Sequence, residues 1–217
     1  LFRKLDRAET PPTIGQTLGA EKSVIVIAEK EPEPLRAAYR SLAEAWQAEK
    51  PGAVVVRTDA EAEGPLPKGR GVWLFGRSNR FRDAVLKGGG GLPVDFSEGG
   101  VSLEGRRFPW EGHGFVVSAR RPEDAAFSAT WVAAAQAQAL PALARKLVHY
   151  GKYSYLAFEG EGADNAAKGA WPAQSPRLCR RFSPSAAPVR LAPSEPLTRR
   201  MAFSPERMKD DVLRLAS

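Results

Sequence analysis

Two stretches of this sequence bring together side chains able to do chemistry. The first is Gly76-Arg77-Ser78-Asn79, with Arg80 beside it, set between an apolar run and a helix-forming run. Backbone amides in such a turn can hold an anion, and the guanidiniums of Arg77 and Arg80 would add charge-assisted hydrogen bonds. A plain structural turn accounts for the same residues, because one glycine falls short of Gly-x-Gly-x-x-Gly spacing. The second stretch is His149-Tyr150-Gly151-Lys152-Tyr153-Ser154-Tyr155, running on through Leu156-Ala157-Phe158-Glu159-Gly160. Its tyrosines supply packing area and hydroxyl groups. This string either closes the edge of the core, with His149 and Lys152 bonding backbone carbonyls, or presents a contact surface for a neighbouring domain or a ligand.

Other chemistries lack their residues. A hydrolytic metal site needs three or four His, Cys or carboxylate ligands brought together. The two histidines, His113 and His149, stand in neither a His-x-x-x-His nor a His-Glu-x-x-His pattern. His113 sits between Gly112 and Gly114 and reads as a loop histidine. There is no Gly-x-Ser-x-Gly elbow for a nucleophilic serine. Gly88 through Gly91 follow a helix instead of opening one, with no Lys-Ser/Thr after them, so they do not read as a phosphate loop. The single cysteine, Cys179, can form neither an internal disulfide nor a zinc ribbon, and reads as an incidental thiol. No catalytic residue, metal ligand or cofactor is assigned to this chain.

The elements that must position these residues follow from hydrophobic period. Residues 23–28 are an uninterrupted apolar run, the pattern of a strand buried on both faces of a parallel sheet. After Pro32 and Pro34, residues 35–49 carry Leu35, Ala38, Tyr39, Leu42, Ala45 and Trp46 at helical spacing, and Pro51-Gly52 ends the helix. Ala53 to Val56 and Gly71 to Phe75 read as further buried strands, completing a right-handed βαβ unit. A short helix follows, capped by Ser78 or Asn79. Val94 to Phe96 and Val101 to Leu103 suggest a small hairpin, and Phe115 to Val117 a return strand. One helix over 122–149 would place Pro141 in its interior, at a cost of about 3 kcal/mol or more. The preferred parse is a strand over Phe127 to Ala133 and a helix opened by Pro141. Tyr153 to Phe158 is the last expected strand. The predicted fold is three-layer α/β, with a mostly parallel sheet of Rossmann-like or flavodoxin-like type, a β-hairpin insertion and an irregular Pro-rich tail.

The net charge of +7 is unevenly spread: residues 177–217 hold nine basic and four acidic side chains, so most of the excess lies in the tail. No aromatic-interleaved basic patch accompanies it, and no nucleic-acid partner is expected. No apolar run approaches the ~20 residues of a membrane-spanning helix. Ser204, Pro205 and Glu206 form a helix start, and Met208, Val212 and Leu215 give it an apolar face. With a first residue other than Met, this suggests a piece of a longer protein.

The string from His149 to Gly160, with Asn165, Lys168-Gly169-Ala170-Trp171-Pro172 and Ser175-Pro176, resembles a segment of large bacterial zinc metallopeptidases. Phe203-Ser204-Pro205-Glu206-Arg207-Met208 through Leu213 is similar to the first helix of their two-zinc aminopeptidase domain. Leu1-Phe2-Arg3-Lys4-Leu5-Asp6-Arg7 and Pro11-Pro12-Thr13-Ile14 are similar to the approach to the α/β region upstream of it. Val148 stands where proline is expected, and Arg177 where leucine is expected. The resemblance implies a non-catalytic accessory domain of an exported parent, positioning or gating catalytic domains. Zinc would belong to the parent's peptidase domain, and the partners would be neighbouring domains of the same polypeptide. The expected divisions are a lead-in over 1–22, the α/β accessory domain over 23–160, a Gly/Pro-rich basic linker over 161–203, and the start of a truncated following domain over 204–217. The alternative is a ligand-binding module taking an anion, peptide or sugar at the sheet edge. The candidate contact residues are Arg77, Ser78, Asn79, Arg80, His149, Tyr150, Lys152, Tyr153 and Tyr155.

Overall fold

Apolar runs too short for helices and too continuous for a half-exposed sheet must be covered on both faces, and two such runs form the centre of this molecule. The computed structural model describes residues 10–88, 92–121 and 123–172. The chain divides into 1–178 and 179–217, so every described residue lies in the first unit. A short helix, α1 (Ile14–Leu18), precedes β1 (Ser23–Ile27). The long helix α2 (Glu33–Glu49) leads to β2 (Val54–Thr58), and β3 (Gly71–Phe75) follows. Every residue of β1 and β3 is buried. Both β2 and β3 pair with β1 in parallel. Helix α2 lays Tyr39 and Ala43 on the sheet and sets the Trp46 ring edge-on to Trp73 at 5.0 Å.

Beyond β3 the chain forms α3 (Arg82–Gly88) and a separate meander of β4 (Val94–Ser97), β5 (Gly100–Leu103) and β6 (Arg106–Pro109). The expected hairpin is thus a three-stranded sheet. Its third strand is hidden in the sequence because Arg106, Arg107 and Pro109 stay exposed and only Phe108 is buried. Next come β7 (His113–Arg121) and β8 (Asp124–Ala133), α4 (Ala139–Leu147), β9 (Tyr155–Glu159) and β10 (Asp164–Gly169). Pro141 falls in the first turn of α4, where its missing N–H costs no ladder bond.

The main sheet has the order β10-β9-β7-β8-β3-β1-β2. Its β8-β3-β1-β2 side is parallel, and its β10-β9-β7-β8 side is antiparallel. The sheet is therefore mixed, where sequence pattern suggested a mostly parallel one. The link between β7 and β8 spans only residues 122–123, far too short for the crossover that a parallel pair requires. Side-chain alternation sends Val24, Val26 and Trp131 to one core, with α3 and the small sheet. Ile25, Ile27 and Val132 go to the other, with α2 and α4.

The sheet also continues beyond Gly160, where the sequence placed the domain's end. Strand β10 pairs with β9, and Trp171 is buried at 2% exposure. The Trp171 Nε1–H donates to Ser118 O at 2.8 Å, and its backbone N–H donates to Ser154 Oγ at 3.0 Å. Asp164-Asn165-Ala166-Ala167-Lys168-Gly169 consists of weak strand formers, so the pairing with β9 and not propensity makes it a strand. The lead-in is likewise partly built in. Thr13 caps α1, and the buried Thr17 hydroxyl shares hydrogen bonds of 2.8 Å with Ser128 and Thr130. The linker beyond 172 and the helix start at 204 lie outside the described residues. No helix among the described residues is long and apolar enough to cross a membrane.

Candidate functional site

Strand order reverses between β1 and β3, because β2 flanks β1 on one side while β3 and β8 continue on the other. In open α/β sheets ligands favour the crevice outside the carboxyl ends of the strands at such a reversal. Here the turn after β1 carries Glu29, Lys30 and Glu31, and the turn after β3 carries Gly76 to Arg80. A crevice of about 610 Å³ opens between them, bounded by Lys30, Glu31, Arg77 and Arg82, with Trp110 and Ala134 on its wall.

The turn is built around two carboxylates. Gly76 has φ +104°, and a Cβ there would come within 2.7 Å of Ala28 Cβ and 2.8 Å of Glu31 Cγ. Glycine thus lets Glu31 lie against the backbone. Glu31 Oε1 accepts hydrogen bonds from Ser78 N and Ser78 Oγ, both at 2.7 Å. Asp59 does the same service one turn along, its Oδ1 accepting from Glu29 N at 2.9 Å and its Oδ2 from Arg80 N at 3.0 Å. The Ser78 and Arg80 amides of this turn are therefore taken by the chain's own acids, and the Gly76 amide by Val132 O.

The named residues divide accordingly. Asn79 is buried, its Nδ2 donating to Val26 O at 2.9 Å and its Oδ1 accepting from Phe81 N at 3.2 Å. It clamps β1, β3 and the start of the next turn together. Ser78 is engaged with Glu31, and Arg80 donates to Ala62 O while its guanidinium lies 4.7 Å from the Phe81 ring centroid. Arg77 stacks 4.1 Å over the Trp110 ring and donates to Glu98 O at 3.5 Å; like Arg80 it lines the crevice without a carboxylate ion pair among the described residues.

The tyrosine string lies elsewhere. Strand β9 runs in the same direction as β8, since both are antiparallel to β7, so the residues before β9 reach the amino edge of the parallel strands. There Tyr150 and Tyr153 pack together at 5.7 Å, with Lys168 over both rings and Lys152 over Tyr153. Ile14 N donates to Tyr153 O at 2.9 Å, and Gly15 N donates to Gly151 O at 2.8 Å, docking α1 on this turn. His149 is exposed, and its backbone N–H donates to Lys146 O. Tyr155 turns to the opposite face of the sheet, donates to Glu104 Oε2 at 2.7 Å and stacks on Trp171 at 4.6 Å. Burial, then the bond to the Glu104 carboxylate, pushes its hydroxyl up to about 12. The two candidate groups thus sit at opposite edges of the sheet and do not form one site.

Residues the sequence reading passed over complete the crevice. Arg82 lies 4.7 Å from the Phe96 ring centroid and donates to Asp83 Oδ1 at 2.7 Å. Burial would raise the Asp83 carboxyl, but its bonds from Arg82 and Lys87 outweigh that and hold it below the usual range. Trp110 is fixed by Nε1 donating to Ser97 O at 2.8 Å. Glu31 and Lys30 directly follow a buried strand, the same signal that drew attention to Gly76 to Arg80. Among the described residues no three His, Cys, Asp or Glu side chains group as metal ligands. No protein-family model, curated protein or solved structure matches the chain.

Proposed function

We propose that this chain contributes a non-catalytic ligand-binding domain, whose carboxyl-edge crevice takes a small molecule through an anionic group. The observation that carries this reading is the crevice itself, at the reversal of strand order, with Lys30 and Arg77 free of carboxylate partners among the described residues. Preformed crevices of about 300–1,000 Å³ with a few fixed polar groups are the usual form of small-molecule sites. Titrating the chain with acetate and inorganic phosphate, followed by NMR, is expected to shift the amides of residues 29–31 and 76–80. The Lys30→Ala/Arg77→Ala double variant is expected to weaken binding roughly tenfold or more, the effect of losing charge-assisted hydrogen bonds. Shifts that are absent, or that the double variant leaves unchanged, would refute the reading.

A second reading is the scaffold role that the metallopeptidase resemblance implies. One observation favours it: Ser154 and Trp171, in the string that carries the resemblance, make internal bonds that tie the end of the antiparallel side to β7, and Tyr155 bonds Glu104 of the small sheet. On this reading the domain is a three-layer, Rossmann-like or flavodoxin-like accessory unit of an exported bacterial aminopeptidase. Zinc would be held by a following peptidase domain, and the partners would be the other domains of the same polypeptide. The chain assayed alone with zinc and aminoacyl substrates is expected to show no turnover. Turnover that copurifies with the chain would overturn both readings.

A further inference from the structure

The crevice carries an acid among its cations, and that combination narrows the ligand. Glu31 is only 9% exposed, yet it lines the crevice. Both of its bonds, from Ser78 N and Ser78 Oγ, go to Oε1, and Oε2 has no hydrogen-bond partner among the described residues. Around it stand Lys30, Arg77 and Arg80, which form no carboxylate ion pair among the described residues, and Arg82, which is paired with Asp83. A simple anion drawn to Lys30 and Arg77 would also meet the Glu31 charge, in a partly desolvated site where like charges repel strongly. A simple cation would meet the opposite difficulty at these basic groups. A ligand with a positive and a negative group a few bonds apart satisfies both walls.

We infer that the crevice binds an amino-carboxylate zwitterion, a free amino acid or short peptide, with its ammonium on Glu31 Oε2 and its carboxylate on Arg77 and Lys30. The ammonium donates to the oxygen that Ser78 leaves free. The carboxylate accepts from the guanidinium, which the Trp110 ring supports from below. Leu35, Ala133, Ala134 and Trp110 line the same crevice and offer an apolar wall to the ligand's side chain. This assignment rests on the ligand-binding reading above, and it adds the chemical class of the ligand and the role of Glu31.

Isothermal titration calorimetry of the 217-residue chain with four probes tests it. The probes are L-leucine, N-acetyl-L-leucine, L-leucinamide and inorganic phosphate. Leucine is expected to bind, and blocking either end is expected to weaken binding roughly tenfold or more. Glu31→Gln keeps an acceptor for Ser78 and is expected to erase the preference for leucine over its N-acetyl form. Arg77→Ala is expected to erase the preference for leucine over leucinamide. Thermal melting checks that each variant is folded, and the four-probe series on the unaltered chain decides the question should Glu31→Gln fail to fold. Phosphate or N-acetyl-leucine binding as tightly as leucine, with Arg77→Ala abolishing it, would refute the zwitterion and leave a plain anion site. No binding by any probe would refute both.

Discussion

Gly76 and Glu31 form one unit: the glycine's positive φ and missing Cβ make the space in which the carboxylate lies. A Gly76→Ala substitution must strain the backbone and also push against Ala28 and Glu31. It is expected to lower stability by about 1–3 kcal/mol, measured by urea denaturation, and to loosen the bonds from Ser78. Unchanged stability would show that Glu31 does not depend on this contact. Tyr155 offers a pH-dependent counterpart. Its hydroxyl keeps its proton to about 12 in the folded chain against an ordinary value of 10.0, so the folded state binds more protons between these values. The stabilisation is intact below about pH 10 and is lost as pH rises toward 12, so stability falls through that window. Tyr155→Phe is expected to flatten this fall in denaturation curves taken across alkaline pH. Some slope remains, because burial also raises the Tyr39 hydroxyl. A fall of the same steepness in the variant would remove Tyr155 from the account.

Strand β10 and the turn before β9 show how elements with weak local signals are held by their neighbours. The ring of Trp171 fills space against Tyr155, bonds Ser118 of β7, and so anchors the chain after β10 across three strands. Trp171→Ala is expected to cost about 3–5 kcal/mol, as for a large core side chain. Urea denaturation compares the variant with the unaltered chain, and a loss below 1 kcal/mol, roughly that of a surface change, would mean that the domain does end near residue 160. The buried hydroxyls of Thr17, Ser118, Ser128 and Thr130 play the same part for α1, joining it to β7 and β8 through bonds of 2.8 Å. None of these residues carries a periodic signal strong enough to announce an element by itself.

Across the molecule, β8 is the strand that pairs in parallel with β3 and antiparallel with β7, so the two halves of the sheet share one centre. Hydrogen exchange is expected to be slowest for amides of β3, β7 and β8, faster in the edge strands β2 and β10, and fast in the small β4-β5-β6 sheet. Slowest exchange in β10, or separate cooperative unfolding of the parallel half, would contradict a shared core. The same arrangement sets the crevice and the tyrosine pair at opposite edges, so substitutions of Tyr150 or Tyr153 should leave probe binding at the crevice unaltered.

Local pattern was enough for the βαβ unit, because a strand buried on both faces is an apolar run and a helix on a sheet repeats its apolar residues every three or four positions. It was enough, too, to set Gly76 to Arg80 at the end of a buried strand and to read Pro141 as a helix opener. Tertiary structure alone decided what fills that turn, since Glu31 and Ser78 are 47 residues apart and Arg80 and Asp59 are 21 apart. It alone decided that β6 and β10 are strands, whose pairing supplies what their propensities lack. Contacts between distant segments depend on how the sheet is ordered, and a linear period carries no information about that order.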